Sequence, residues 1–103
     1  MYRIEYLPSA LRDLTDIACY IGVKLQNPDA ADRLAEKIVA AVDELSDMPY
    51  RYEVYIPVKP LKYEYRKMIV DNYLIFYRVD ENKHTVIIFR VIYGGRQIEK
   101  LLN

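Results

Sequence analysis

The stretch Tyr73-Leu74-Ile75-Phe76-Tyr77-Arg78-Val79 decides the fold. It is almost continuously apolar or aromatic, with Asp71-Asn72 before it and the polar residues 80–83 after it. A run of this length between turn signals is typical of a strand that is covered on both faces. We therefore expect a central strand over residues 73–79.

Two further strand candidates flank this run, over residues 63–70 and 85–93. The separators are short and polar, so the three strands should form an antiparallel meander. A two-residue turn at Asp71-Asn72 would fix the register of the first pair. It would place three residues of the first strand opposite three of the second, namely Val70 opposite Tyr73, Met68 opposite Ile75 and Arg66 opposite Tyr77.

The N-terminal half predicts one short strand and two helices. Residues 2–6 alternate like a half-buried strand, and Pro8 suits the first turn of a helix that fades near residues 22–26. Asn27 and Pro28 are an N-cap and a first helical residue, and this second helix should end at Asp47 or Met48, before Pro49. Two amphipathic helices joined by a short turn form a hairpin whose apolar face needs a partner.

These elements predict a single α+β domain over residues 1–103. A twisted, mainly antiparallel four-stranded sheet, in the chain order β-α-α-β-β-β, carries the two-helix hairpin on one face. A chain of 103 residues is long enough to bury one core of this kind.

The charges are balanced overall but segregated along the chain. Lys plus Arg number 15 and Asp plus Glu number 15. Residues 1–50 hold 5 basic and 9 acidic side chains, and residues 51–103 hold 10 basic and 6 acidic ones, giving −4 and +4. The basic half is compatible with an anionic partner, whereas the neutral total gives no general attraction to nucleic acid.

The rare residue types exclude several kinds of chemistry. Cys19 is the only cysteine and stands in a helical pattern, where a free cysteine is usually a small buried hydrophobe. With His84 as the only histidine, the sequence predicts neither a metal site nor a Cys–His nucleophile pair. Without a disulfide framework, signal sequence or membrane-length apolar run, we expect a cytoplasmic protein.

The remaining chemistry lies in basic and tyrosine side chains of the sheet. Strand alternation puts Tyr65, Lys67 and Arg78 on one face, and charge matching adds Arg90 to this face, away from the helices, with Arg96 at its edge. Strict alternation along residues 85–93 groups Arg90 with Val86, Ile88 and Ile92. Such a surface can stabilise phosphate charge or bind an acidic partner. The alternative is that these cations neutralise acidic neighbours at strand ends.

The element order and several local strings resemble the RelE/ParE superfamily of toxins from bacterial type II toxin–antitoxin modules. The likeness covers nearly the whole chain. It rests first on spaced residues of the first helix, namely Ala10, Asp13, Leu14, Ile17, Tyr20 and Ile21. It rests also on four continuous strings, namely Pro28-Asp29-Ala30-Ala31, residues 45–49, residues 73–79 and Val91-Ile92-Tyr93-Gly94-Gly95-Arg96-Gln97. The resemblance implies a small cytosolic toxin without a cofactor, active in growth inhibition or plasmid stabilisation. An antitoxin whose tail wraps it would hold it inactive in a hetero-oligomer.

The resemblance also implies two targets. RelE-like members are metal-independent endoribonucleases that cleave mRNA on the ribosome; here Lys67 and Arg96 would be catalytic, with Arg78, Arg90, Tyr65 and Tyr93 assisting. Tyr65 stands where a lysine is usual and Leu74 where an arginine is usual, and losing such an arginine costs on the order of a hundredfold in rate.

ParE-like members instead inhibit DNA gyrase, and the strings at residues 73–79 and 93–97 are closer to that branch. A third reading is an inactive member that binds only its antitoxin. In every case the basic and tyrosine residues of this surface would serve binding of the target or the antitoxin; they are Tyr65, Lys67, Arg78, Arg90 and Arg96.

Overall fold

The computed structural model describes residues 1–94 and Leu102. Its elements, in chain order, are β1 (Arg3–Tyr6), α1 (Pro8–Cys19), α2 (Pro28–Asp43), β2 (Arg66–Val70), β3 (Tyr73–Asp80) and β4 (Thr85–Tyr93). A π-helical turn, Tyr20–Lys24, extends α1, and a 3-10 turn, Glu44–Ser46, extends α2. The second helical segment thus stops one or two residues before the predicted end.

The four strands form one sheet in the order β1-β4-β3-β2. The β2–β3 and β3–β4 pairs are antiparallel, and β1 lies parallel to β4 at the edge. The register of β2 against β3 is the predicted one, with Val70 opposite Tyr73, Met68 opposite Ile75 and Arg66 opposite Tyr77. The predicted α+β fold, with a mainly antiparallel sheet, is confirmed.

A β-bulge interrupts β4 opposite the middle of β3. Phe76 pairs with Arg90 but Tyr77 pairs with Ile88, which leaves Phe89 as an extra residue. Beyond this point the alternation is shifted, because Ile88 and Val91 both lie in the core beneath the helices. The prediction of strict alternation along residues 85–93 was therefore wrong after Phe89.

The helices begin where the sequence signals predicted. Pro8 stands in the first turn of α1, and the side chain of Asn27 accepts a hydrogen bond from the Ala30 N–H at 3.2 Å, capping α2. The closed end of the hairpin is less regular, since Gln26 has a φ of 53°. Cys19, expected to be buried, is exposed near this end.

Both faces of the sheet are covered, as expected for a central β3. Buried residues of α1, α2 and the sheet form the main core, which includes Ile38, Leu45, Ile75 and Tyr77. On the opposite face, Phe76, Ile92 and Leu102 form a second, smaller cluster against Tyr55 and other side chains. Within residues 1–94, no helix combines the length and the apolar character needed to cross a membrane.

Candidate functional site on the outer face of the sheet

The sheet face away from the helices, here called the outer face, brings together three of the predicted site residues. Lys67 stands opposite Phe76 and Arg78 follows Phe76 by two residues, so their side chains share this face. The ring of Tyr65 stacks on Phe89, with 4.9 Å between ring centroids. Tyr65, Lys67 and Arg78 therefore form the outer-face cluster.

Tyrosine rings from the preceding loop cover both cations of the cluster. The Arg78 Cζ lies 4.1 Å from the centroid of Tyr63, and the Lys67 Nζ lies 6.0 Å from that of Tyr55. Two backbone hydrogen bonds hold the loop to the start of β2, from the Tyr55 N–H to the Tyr65 carbonyl and from the Lys67 N–H to the Glu53 carbonyl. These contacts are cation–π geometries, which stabilise a charge without neutralising it.

The hydroxyl of Tyr65 is a hydrogen-bond donor at neutral pH. Burial raises the pKa of Tyr65 above its ordinary value of 10, and the nearby Arg78 guanidinium opposes this shift. The phenol therefore stays protonated near pH 7 and is not a ready general base. The outer-face cluster offers two cations and one neutral donor, a set that suits binding of an anionic group.

Arg90 stands opposite Phe76 on β3, but its guanidinium is paired with an acidic residue of α1. Its Nε and Nη2 atoms donate to the two carboxylate oxygens of Asp13 on α1, at 2.7 and 2.9 Å. The Val91 N–H donates to the same carboxylate at 2.9 Å. The Arg90 and Asp13 side chains are only 20% and 13% exposed. These contacts tie α1 to β4.

Tyr93 lies at the opposite end of the sheet from Arg78. It pairs with Tyr73, whose ring is 5.7 Å away by centroids, and Tyr73 precedes Arg78 by five residues, or about 16 Å along the strand. Tyr93 is thus remote from the outer-face cluster. Arg96, the other predicted catalytic residue, lies outside the described residues, as does Gln97.

One polar cluster at the edge of the sheet could not be predicted from the sequence. The Tyr2 hydroxyl donates to Glu81 at 2.8 Å, the Tyr50 hydroxyl also donates to Glu81, and His84 stacks on Tyr2 with 3.8 Å between centroids. The hydrogen bonds from Tyr50 and Tyr2 lower the pKa of Glu81. The hydrogen bond from Tyr50 to Glu81 in turn raises the pKa of Tyr50 to about 12. Tyr2 and Glu81 are 79 residues apart, and no local pattern links them.

No group of three His, Cys, Asp or Glu side chains that could hold a metal ion occurs in the part of the chain that the structure describes. The outer-face cluster offers cations, a hydroxyl and aromatic faces. Such groups bind anions or protein surfaces, and they stabilise charge in a reaction without a metal.

The comparisons with solved structures agree with this architecture. A ParDE toxin–antitoxin system from P. aeruginosa matches with a TM-score of 0.72 and 20% identity, covering 90% of this chain and 96% of that one. A RelBE2 toxin–antitoxin complex from Mycobacterium tuberculosis matches with a TM-score of 0.57 and 25% identity, and the match covers 89% of this chain and 96% of that one. The E. coli RelBE toxin–antitoxin complex matches with a TM-score of 0.58 and 17% identity, and the match covers 93% of this chain and 100% of that one. No curated protein matches the sequence.

The family comparison goes further than the fold. The model of the ParE toxin of the type II toxin–antitoxin system parDE matches residues 4–98, which is nearly the whole chain. That span contains the helical hairpin and all of the described sheet except Arg3, and it agrees with the predicted resemblance. The chain therefore belongs to the ParE toxin family, within the RelE/ParE superfamily.

Proposed function

We propose that this toxin arrests growth by binding DNA gyrase and that an antitoxin binding the same chain holds it inactive. The antitoxin partnership is supported by the structural neighbours, several of which are toxin–antitoxin complexes. The gyrase target is supported by the ParE family match and by the state of the basic residues on the sheet.

The observation that carries the choice of target is the ion pair between Arg90 and Asp13. A ribonuclease of the RelE type would need several cations converging on one phosphate, because they must stabilise the charge of the transition state. Arg90 donates from Nε and Nη2 to the carboxylate of Asp13 on α1, and Leu74 is apolar. Within the described residues, this leaves Lys67 and Arg78 as the basic pair of the outer-face cluster.

The direct test is a DNA supercoiling assay with purified gyrase and the purified toxin. We expect wild-type protein to inhibit supercoiling, and Lys67→Ala to inhibit within about threefold of wild type. A translation reaction programmed with a defined mRNA, read by primer extension, is the parallel assay and should show intact mRNA. Unchanged supercoiling by gyrase at a saturating concentration of the toxin would contradict the proposed target.

A metal-independent, ribosome-dependent endoribonuclease is the second candidate, and one observation favours it. Tyr65, Lys67 and Arg78 do share the outer face, as a phosphate-binding surface would require. This function predicts mRNA cleavage that Lys67→Ala and Arg96→Ala abolish while the protein stays folded and still binds its antitoxin. The two assays above distinguish the two functions.

A further inference from the structure

A small pocket of about 200 Å³ lies at the edge of the sheet where β2 begins. Two arginines line it, Arg66 from the first position of β2 and Arg78 from β3, and we call it the two-arginine pocket. The other lining residues come from the loop before β2 and from β3, namely Tyr50, Tyr63, Glu64 and Val79. The pocket therefore shares only Arg78 with the outer-face cluster.

The two arginines reach this pocket from opposite faces of the sheet. Arg66 stands opposite Tyr77, whose side chain belongs to the core beneath the helices, so Arg66 starts from the helix side. Arg78 is the next residue after Tyr77 and lies on the outer face. Two positive charges are thus held around one small volume, and an anion between them would relieve their mutual repulsion.

Tyrosine rings and one carbonyl hold the two guanidinium groups in place. The Arg66 Cζ lies 5.0 Å from the centroid of the Tyr50 ring, and the Arg78 Cζ lies 4.1 Å from that of Tyr63. The Arg66 Nη1 also donates to the Tyr52 carbonyl at 2.7 Å. Contact with an aromatic ring leaves the N–H donors of a guanidinium free for other acceptors. Both groups are therefore positioned before any ligand arrives.

Most of the N–H donors in the pocket have no acceptor. Arg78 makes no hydrogen bond or ion pair with any residue that the structure describes. The Arg66 Nη2 lies 3.9 Å from the Glu64 Oε1, which is too far for a hydrogen bond, and the Glu64 side chain is 68% exposed. The five N–H donors of Arg78 and those on the Arg66 Nη2 are therefore available to a ligand.

We propose that the two-arginine pocket binds a terminal phosphate group, carried either by inorganic phosphate or by a small phosphomonoester. The planar fork of a guanidinium matches two phosphate oxygens, which makes arginine the usual partner of phosphate. The pocket is smaller than the roughly 300–1,000 Å³ of sites that enclose a whole organic ligand. It would therefore hold the phosphate group and leave the rest of the ligand outside.

A phosphate at the end of a molecule suits this pocket better than one inside a nucleic-acid backbone. A phosphomonoester presents three acceptor oxygens and a charge of about −1.5 to −2 at pH 7, enough for both guanidinium groups at once. A backbone phosphate has a chain on both sides, which must enter and leave the site. Because Glu64 also lines the pocket, its carboxylate competes with the ligand for Arg66.

The test is calorimetric titration of the full-length toxin with inorganic phosphate at constant ionic strength. Arg78→Gln should weaken binding at least about tenfold, because it removes charge-assisted hydrogen bonds. Glu64→Gln should strengthen binding about threefold, because it removes a repelling carboxylate from the pocket. Arg12→Gln makes the same charge change as Arg78→Gln on the exposed side of α1, outside the pocket, and should stay within about twofold of wild type. Circular dichroism checks that each variant is folded.

Methyl phosphate and dimethyl phosphate, titrated in the same way, distinguish the sources of the phosphate. Tighter binding of methyl phosphate than of inorganic phosphate would support a phosphomonoester as the ligand, and the reverse order would support the free ion. Dimethyl phosphate that binds as well as methyl phosphate would overturn the assignment and indicate a nucleic-acid backbone instead. No binding of phosphate at about 10 mM, or no gain in affinity for Glu64→Gln, would also overturn it.

Discussion

At the scale of single residues, one carboxylate organises the contact between α1 and β4. Asp13 accepts two hydrogen bonds from Arg90 and one from the Val91 N–H, all between 2.7 and 2.9 Å. Because the pair is largely shielded from water, removing one partner leaves the other charge without compensation. Asp13 belongs to the string that indicated the family, and the structure gives it a structural reason to be there.

We predict that Asp13→Ala destabilises the protein by about 2–4 kcal/mol, since it breaks a largely buried ion pair and frees the Val91 N–H. Urea unfolding measures the loss. The matched control is Glu44→Ala, which breaks the exposed pair between Glu44 and Arg51 at 3.1 Å and should cost at most about 1 kcal/mol. Equal losses in the two variants would show that Asp13 is not the organising residue.

Glu81 predicts a dependence of stability on pH. Its hydrogen bonds from Tyr50 and Tyr2 lower the pKa of Glu81 in the folded state below its ordinary value of 4.5. As the pH falls, the Glu81 carboxylate of the unfolded chain therefore becomes protonated before that of the folded chain. The stabilisation of the folded state by Glu81 is present above about pH 4.5 and is lost as the pH falls through the lowered pKa. Glu81→Gln should have a lower melting temperature than wild type at pH 7, and the gap should narrow at pH 3. A gap that widens toward acid would refute this account.

At the scale of elements, the sequence predicted what local patterns encode. The Asp71-Asn72 turn fixed the β2–β3 register, and the Asn27-Pro28 pair fixed the start of α2. The β-bulge was missed because Phe89 and Arg90 look like ordinary alternating strand residues. The ion pair of Arg90 was missed as well, because its acidic partner is 77 residues away in sequence. Cys19 was misplaced because free cysteines are usually buried, whereas this one lies off the helical stripe of Leu14, Ile17 and Ile21 that faces the core.

The cap of α2 gives a prediction at this scale. Asn27→Ala removes the side-chain acceptor for the Ala30 N–H and should cost about 1 kcal/mol, a fall in melting temperature of roughly 4–8 °C for a domain of this size. Thermal unfolding followed by circular dichroism measures it. Asn82→Ala, in the exposed β3–β4 turn, is the control and should melt within about 2 °C of wild type.

At the scale of the whole molecule, the two faces of the sheet differ in what they carry. The helix side holds the main core, and the outer face carries a smaller cluster beside Lys67 and Arg78. The sequence predicted the shared position of Tyr65, Lys67 and Arg78, because the register of one hairpin determines it. It did not predict the groove between the closed end of the helical hairpin and the β2–β3 turn, because the walls of this groove come from α1, α2, β3 and β4 and meet only in the folded chain.

This division predicts how growth arrest responds to mutation. If gyrase binding is the activity, Lys67→Ala and Arg78→Ala should each keep toxicity within a few-fold of wild type, because neither residue would have to act on a phosphate. The measurement is the inducer concentration that halves colony formation, at matched protein levels. A loss of toxicity in Lys67→Ala, with folding and antitoxin affinity unchanged, would favour the ribonuclease.

The most direct measurement is the incorporation of labelled thymidine and labelled amino acid, followed in parallel just after the toxin alone is induced in a bacterium. We predict that DNA synthesis falls first while protein synthesis continues, because gyrase is the proposed target. Prompt loss of amino acid incorporation with DNA synthesis continuing would contradict it and make translation the target.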